Sequence, residues 1–302
     1  MPRWRTLLRP LSLYETPARE SLATEAAAGR RVRVARDPDA SEDHPARAVE
    51  VELLEDFYRG WVLLSHLDES VDAADAADAA DASPRTLPST SVTPEVRTAA
   101  LAFVLAADPA PPYLWGGTVG PRFDCSGFAQ AAYAAAGAWI PRDAHQQSAF
   151  VARLPDVTLA EPGDLVFFAP VHRTLRGRRV RSPAASDDEP PTLVEDDAEH
   201  DAVDHVGVLV EAPRAVTPDG DETLLSYAHC SCASTGRDGI GRDALIATFD
   251  RSTGLVAGRG AAEDDPPSLY YGARFAWVGR VERGVERAED VRRRGARAGG
   301  PV

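Results

Sequence analysis

The sequence contains no lysine, so all 33 basic residues are arginine. Positive charge is in deficit altogether: 47 acidic residues give a formal net charge of −14 and an isoelectric point near 5.0. An acidic surface repels phosphate backbones and anionic headgroups, which excludes nucleic acid and anionic membrane as expected partners. A lysine-free chain rich in Asp and Ala fits a high-GC coding sequence, a salt-adapted surface, or both. Cysteine is scarce as well. The three copies, Cys125, Cys230 and Cys232, cannot form a disulfide framework. Cys230 and Cys232 stand too close in sequence to bridge each other without strain. No CxxC meets a second one, so no structural zinc site is expected; no cofactor is expected either.

Long hydrophobic runs are also missing. No window approaches the roughly 18 apolar residues of a membrane span. The opening stretch, MPRWRTLLRPLSLYETP, holds arginines but no apolar run of about 7–15 residues and no small-residue cleavage site. The expectation is a cytoplasmic protein without membrane insertion; a true start lying upstream would instead make it an exported one.

What is present falls into blocks. The 302 residues exceed one average domain, and a hydrophobic content of 44% suffices for a core. Alternating runs such as Arg31-Val32-Arg33-Val34 and Ala48-Val49-Glu50-Val51 read as short strands with one buried face, and predict a small β-barrel over 10–68. A repeated Asp-Ala-Ala tract followed by Ser, Pro and Thr has nothing large to bury, so 69–92 reads as a linker. From Thr93 helices come first and strands later, an α+β pattern over 93–284. Thr93-Pro94 starts one helix running to about Ala106, and Cys125 opens a second that ends at Gly137. Strands follow at 163–168, 206–210, 224–228 and 273–278. Polar 171–203 reads as a disordered insertion loop that could be deleted from 173 to 199 without loss of fold, and 285–302 as a disordered tail.

Asp124-Cys125-Ser126-Gly127 is the sharpest local signal. A cysteine in the first turn of a helix meets the positive end of the helix dipole, which lowers the thiol pKa and favours the nucleophilic thiolate. The same residues also fit a buried, unreactive core cysteine. A thiolate mechanism needs a base, and His205 stands at the start of the strand from Val206. His229 closes the next apolar strand, and adjacent antiparallel strands would bring the two rings together. Either histidine alone also fits a satisfied structural residue. His44, His66, His145, His172 and His200 are assigned no chemistry.

Together these residues resemble the NlpC/P60 family of cell-wall cysteine peptidases. The resemblance rests on Tyr113-Leu114-Trp115-Gly116-Gly117, Asp124 to Phe128, Pro141-Arg142-Asp143, Pro162 to Phe168 and His205 to Val208, in that order, within 93–281. It implies a papain-like α+β core, Cys125 as nucleophile, His205 as base and His229 as third polar residue. It also implies Tyr113 beside the oxyanion site, and Asp124 and Ser126 against the N-terminal part of a peptide. Departures are the long 211–222 stretch before His229 and the Cys230-Ser231-Cys232 run, whose thiols are expected to be inert. The first block resembles a bacterial SH3 domain through Leu13 to Pro17, Gly29 to Val32 and Tyr58 to Val62. In recycling enzymes of this family such a domain closes one end of the groove, which implies Tyr58 as a further contact. The expected function is a γ-D-glutamyl–diamino acid peptidase of murein peptides with a free N-terminal L-Ala, acting as a monomer through a thioester. The alternatives are a Cys-His amidase or acyltransferase, and a non-catalytic cell-wall peptide-binding module.

Overall fold

The computed structural model describes residues 4–38, 47–68, 70–72, 91–169, 202–218, 221–250, 255–262 and 264–285. The expected insertion loop at 171–203 and tail at 285–302 lie almost wholly outside the described residues, as do His44, His172 and His200.

Seven short strands form the first sheet: β1 (Arg5–Leu7), β2 (Leu11–Tyr14), β3 (Leu22–Ala26), β4 (Arg31–Arg36), β5 (Ala48–Leu53), β6 (Arg59–Leu63) and β7 (Ser70–Asp72), in the order β3-β2-β6-β5-β4-β1-β7. Period-two alternation sends Val49, Val51 and Val62 to one side, where they meet Leu13, Ala26, Val32 and Leu53. The sheet runs past 10–68 at both ends. β7 pairs antiparallel with β1. Three residues expected in the linker, Ser70, Val71 and Asp72, are therefore strand, because they satisfy an edge that β1 would otherwise leave open.

The second unit has helices α1 (Pro94–Ala106), α2 (Cys125–Ala135) and α3 (Ala144–Phe150), then an eight-stranded sheet and α4 (Pro266–Gly272). The sheet contains β8 (Ala152–Arg153), β9 (Leu165–Phe168), β10 (His205–Leu209), β11 (Arg214–Ala215), β12 (Glu222–Ser231), β13 (Gly239–Asp250), β14 (Leu255–Gly260) and β15 (Phe275–Arg280). Its order is β14-β13-β12-β10-β9-β15-β8, with β11 beside β12. The sequence reading foresaw neither α3, α4, β13 nor β14. β9 and β10 are buried along their whole length, as strands covered on both faces must be. Ala129, Ala132, Tyr133 and Phe128 of α2 pack on one face. Tyr271 of α4 packs with Phe168 and Tyr227 on the other. No helix among the described residues is long and apolar enough to cross a membrane.

The barrel is fastened beside the start of α2. Glu25 Oε2 accepts from the Thr118 and Val119 amides at 3.1 and 3.3 Å. Arg142 Nε donates to Thr24 Oγ1 at 2.9 Å, and Gln130 Nε2 of α2 donates to Asp56 Oδ2 at 2.9 Å. Asp56 lies in the β5–β6 turn that carries Tyr58, so this docking brings Tyr58 to the front of the second unit.

Candidate active site

Cys125 is the first residue of α2, and Asp124 is its N-cap, accepting from the Gly127 amide at 2.6 Å. The thiol is buried at 8% exposure and faces the start of β10, where the Val206 amide points at it. The expectation of a low thiol pKa is corrected. Burial, with the Asp124 charge behind it, pushes the thiol up to about 12, against the pull of the Val206 and Ser126 amides and Arg142. Desolvation of the anion outweighs the short helix's dipole here.

β10 and β12 are antiparallel, with Val208 opposite Ala228 and Leu209 opposite Tyr227. Continuing that register sets Gly207 opposite His229, so His205 and His229 are diagonal neighbours on one face. Their rings join at 2.7 Å, His205 Nε2 to His229 Nδ1. Gly207 leaves the room: a Cβ there would lie 2.9 Å from the Tyr227 ring and 3.4 Å from His229 Cβ. The long 211–222 connection therefore does not displace His229. Burial first, then the neighbouring His229 and Arg274, hold His205 well below its ordinary pKa. Burial lowers His229 too, partly offset by Asp243. Both rings are neutral at pH 7.

The chain of contacts runs on to a residue the sequence reading missed. His229 Nε2 meets Asp243 Oδ2 at 2.7 Å, and Arg237 binds Asp243 Oδ1. Tyr271 stacks on His205 with centroids 4.4 Å apart and meets His229 edge-on at 4.5 Å. Arg274 binds Asp204 and donates to the Ala169 carbonyl, near enough to His205 for its charge to act on that ring. The signal for Asp243 was a lone acid inside a strand, unreadable while β13 itself was unseen.

Asp124 and Ser126 are committed elsewhere than expected. Asp124 accepts from Arg142 Nη1 and Nη2 at 3.1 and 2.5 Å, and from Gly116 N at 2.9 Å and Gly127 N at 2.6 Å. Ser126 Oγ accepts from Arg142 Nη1 at 2.9 Å and donates to Asp124 Oδ1 at 3.3 Å. A carboxylate offers about four lone-pair sites, so Asp124 has none left for an incoming ammonium. The expectation of direct peptide contact by Asp124 is corrected to a buried anchor, with Ser126 tied into the same network. Tyr58 does come to this place. Burial and the carboxylate of Asp143 raise its pKa, and Arg142, Glu15 and Asp124 are its other charged neighbours. Tyr113 lies beside Cys125, and burial with that neighbouring thiol raises its pKa.

The other two thiols lie close by. Cys230 is buried, donates to the Phe123 carbonyl at 3.0 Å, and is pushed up by burial and by Cys125. Cys232 is half-buried with Ser234 Oγ at 3.0 Å. Among the described residues no group of three or more His, Cys, Asp or Glu could hold a metal.

Residues 110–177 match the model of the NlpC/P60 family, and residues 13–67 that of the bacterial dipeptidyl-peptidase SH3 domain. Over 58 residues the chain is 47% identical to the gamma-D-glutamyl-L-lysine dipeptidyl-peptidase of Bacillus cereus, covering 19% of this chain and 17% of that one. It is 48% identical over 58 residues to the protein of the same name in Bacillus subtilis, covering 19% of each. The match thus spans less than a fifth of the length of these curated relatives. A solved NlpC/P60 family protein from Bacillus cereus is 17% identical, with a TM-score of 0.36, over 93% of this chain and 64% of that one.

Proposed function

We propose that this chain, which carries an NlpC/P60 region and a bacterial dipeptidyl-peptidase SH3 domain, is a thiol peptidase of peptidoglycan peptides with a papain-like second unit. The observation that carries the reading is the joined pair His205–His229, with His205 next in the chain to Val206, whose amide points at the Cys125 thiol. In this reading Cys125 Sγ attacks the carbonyl of the γ-D-glutamyl link while His205 takes the thiol proton, giving a tetrahedral oxyanion beside Tyr113. His205 returns the proton to the departing amine, leaving a thioester at Cys125. Water then attacks with His205 as base, and the thioester opens to the acid and the free thiol. His229 holds the ring of His205, the role of the third member in triad chemistry. With the thiol pushed up to about 12 and burial holding His205 low, this reading has the thiol proton pass to His205 as Sγ attacks.

Selection of a free N-terminal L-Ala fits the surroundings of Tyr58. Three carboxylates, Glu15, Asp124 and Asp143, act on its hydroxyl against one guanidinium, Arg142. Such a surplus of negative charge suits an ammonium, and in a partly buried place it is weakly screened.

The test is hydrolysis of L-Ala-γ-D-Glu-meso-diaminopimelate and its L-Lys counterpart, free and N-acetylated, by the wild type and Cys125→Ala. Cleavage of the free peptides alone, lost in the variant, supports the reading, and the ratio between the two diamino acids sets its specificity. Equal cleavage of free and acetylated peptides would remove the amine selection. No cleavage of any would overturn the peptidase and favour an amidase, an acyltransferase or a binding module.

A further inference from the structure

We infer that Asp243, held by Arg237, is a positioning residue that sets the tautomers of His229 and His205 and leaves His205 Nδ1 as the proton acceptor. The inference rests on the Cys125–His205 reading above but is read out separately from it. A guanidinium can only donate, so Asp243 Oδ1 must accept from Arg237. The carboxylate of Asp243 has no proton to give. Burial alone would raise its pKa, but the His229 bond and the Arg237 charge outweigh burial and hold it below the ordinary range. His229 Nε2, at 2.7 Å from Oδ2, must therefore carry the hydrogen. A neutral imidazole has one N–H, so His229 Nδ1 accepts. Its partner at 2.7 Å, His205 Nε2, must then donate. The proton of His205 is thereby spent on the Nε2 side, and Nδ1 keeps its lone pair.

Three further observations fit this assignment. Asp243 and His229 have fully buried side chains, so no solvent competes for their bonds. In the β12–β13 ladder Tyr227 faces Asp243 and His229 faces Gly241, which makes Asp243 the diagonal neighbour of His229 as His229 is of His205. A Cβ on Gly241 would lie 2.2–2.5 Å from Arg237 Cδ, Nε and Nη1, so this glycine opens the path by which Arg237 reaches the carboxylate.

The decisive variant is Asp243→Asn. Arg237 still demands an acceptor, so the amide oxygen turns to Arg237 and the NH2 group faces His229 Nε2. Each hydrogen bond then reverses, and His205 carries its proton on Nδ1. The expected result is a loss of kcat of about 100-fold or more with little change in KM, since a wrong tautomer blocks the proton transfer while leaving the groove intact. Two-bond 1H–15N spectra of the imidazoles should show His205 as Nε2–H in the wild type and Nδ1–H in Asp243→Asn. In Arg237→Met/Asp243→Asn the amide is free to turn over, so the wild-type tautomers return and kcat recovers about ten-fold over the single variant. Unchanged tautomers in Asp243→Asn, or no recovery in the double variant, overturn the inference. Should Asp243→Asn fail to fold, the wild-type spectrum decides alone, because a proton on His205 Nδ1 contradicts the assignment. A wild type that shows the assigned tautomers yet cleaves no murein peptide would sink the proposed function and leave this inference standing.

Discussion

Arg142 grips Asp124 through two nitrogens, at 3.1 and 2.5 Å, one residue before the candidate nucleophile. The pair is buried, and the same guanidinium reaches Ser126 and, across the domain boundary, Thr24 of the barrel. One side chain thus ties the start of α2 to the barrel strand β3. Docking of the SH3 unit and placement of the Cys125 turn therefore share one side chain.

Arg142→Met should destabilise the protein strongly, because it leaves the Asp124 charge buried without its partner. The expected cost is about 3–5 kcal/mol, read from urea unfolding at neutral pH. A cost within experimental error would show that water reaches Asp124 and that the network is not the anchor described.

Alkylation of Cys125 should climb with pH. Its thiol is pushed up to about 12, and below its pKa the thiolate fraction rises about ten-fold per pH unit. Mass spectrometry of the Cys125 peptide, after brief iodoacetamide treatment from about pH 6 to about pH 10, should show no plateau. A plateau near neutrality would reveal a preformed thiolate–imidazolium pair.

The two buried imidazoles should make the fold sensitive to mild acid. Their folded pKa values are lowered. The unfolded chain takes up protons at the ordinary histidine value of about 6.5, where the folded chain does not, so stability falls as pH drops below that value. His205→Gln should lose less stability than the wild type between about pH 7 and about pH 5. Equal slopes would mean that His205 titrates normally in the fold.

Gly207→Ala should disturb the histidine pair rather than β10 as a whole. The added methyl meets the Tyr227 ring at 2.9 Å, an overpacking that costs about 1–3 kcal/mol. Loss of peptide cleavage beyond the loss of folded protein, measured on the same sample by circular dichroism and product release, is the expected outcome.

Tyr58→Phe should narrow the preference for a free amine by about ten-fold, measured as the ratio of kcat/KM for free and N-acetylated peptides. An unchanged ratio would move amine selection away from the barrel.

Much of the fold was legible because it is written in local patterns. Thr93-Pro94 starts α1, Asp124 caps α2, and alternation in Ala48–Leu53 marks a barrel strand. Cys125, His205 and His229 stood out as chemistry-bearing residues at element ends. α3 was missed although Asp143 and Gln146 form a capping box, because only seven residues follow. β13 was missed because Gly239, Gly241, Arg242 and Asp243 break its apolar pattern at the end that enters the site. The low thiol pKa expected from the helix dipole failed for a related reason: the dipole is local and visible in sequence, whereas burial is not.

The sequence by itself determined where the helices and most strands begin, which thiol sits on a helix N-terminus, and which histidines stand on neighbouring strands. These follow from capping, periodicity and φ/ψ limits that act within a few residues. Only the tertiary structure decided that Arg142 takes the lone pairs of Asp124, that Tyr58 reaches the site, and that Asp243 lies behind His229. Each of these depends on contacts between residues 14 to 118 positions apart. Strand register and domain docking set such contacts, and the hydrophobic pattern of a single chain does not specify which polar partners those long-range pairings bring together.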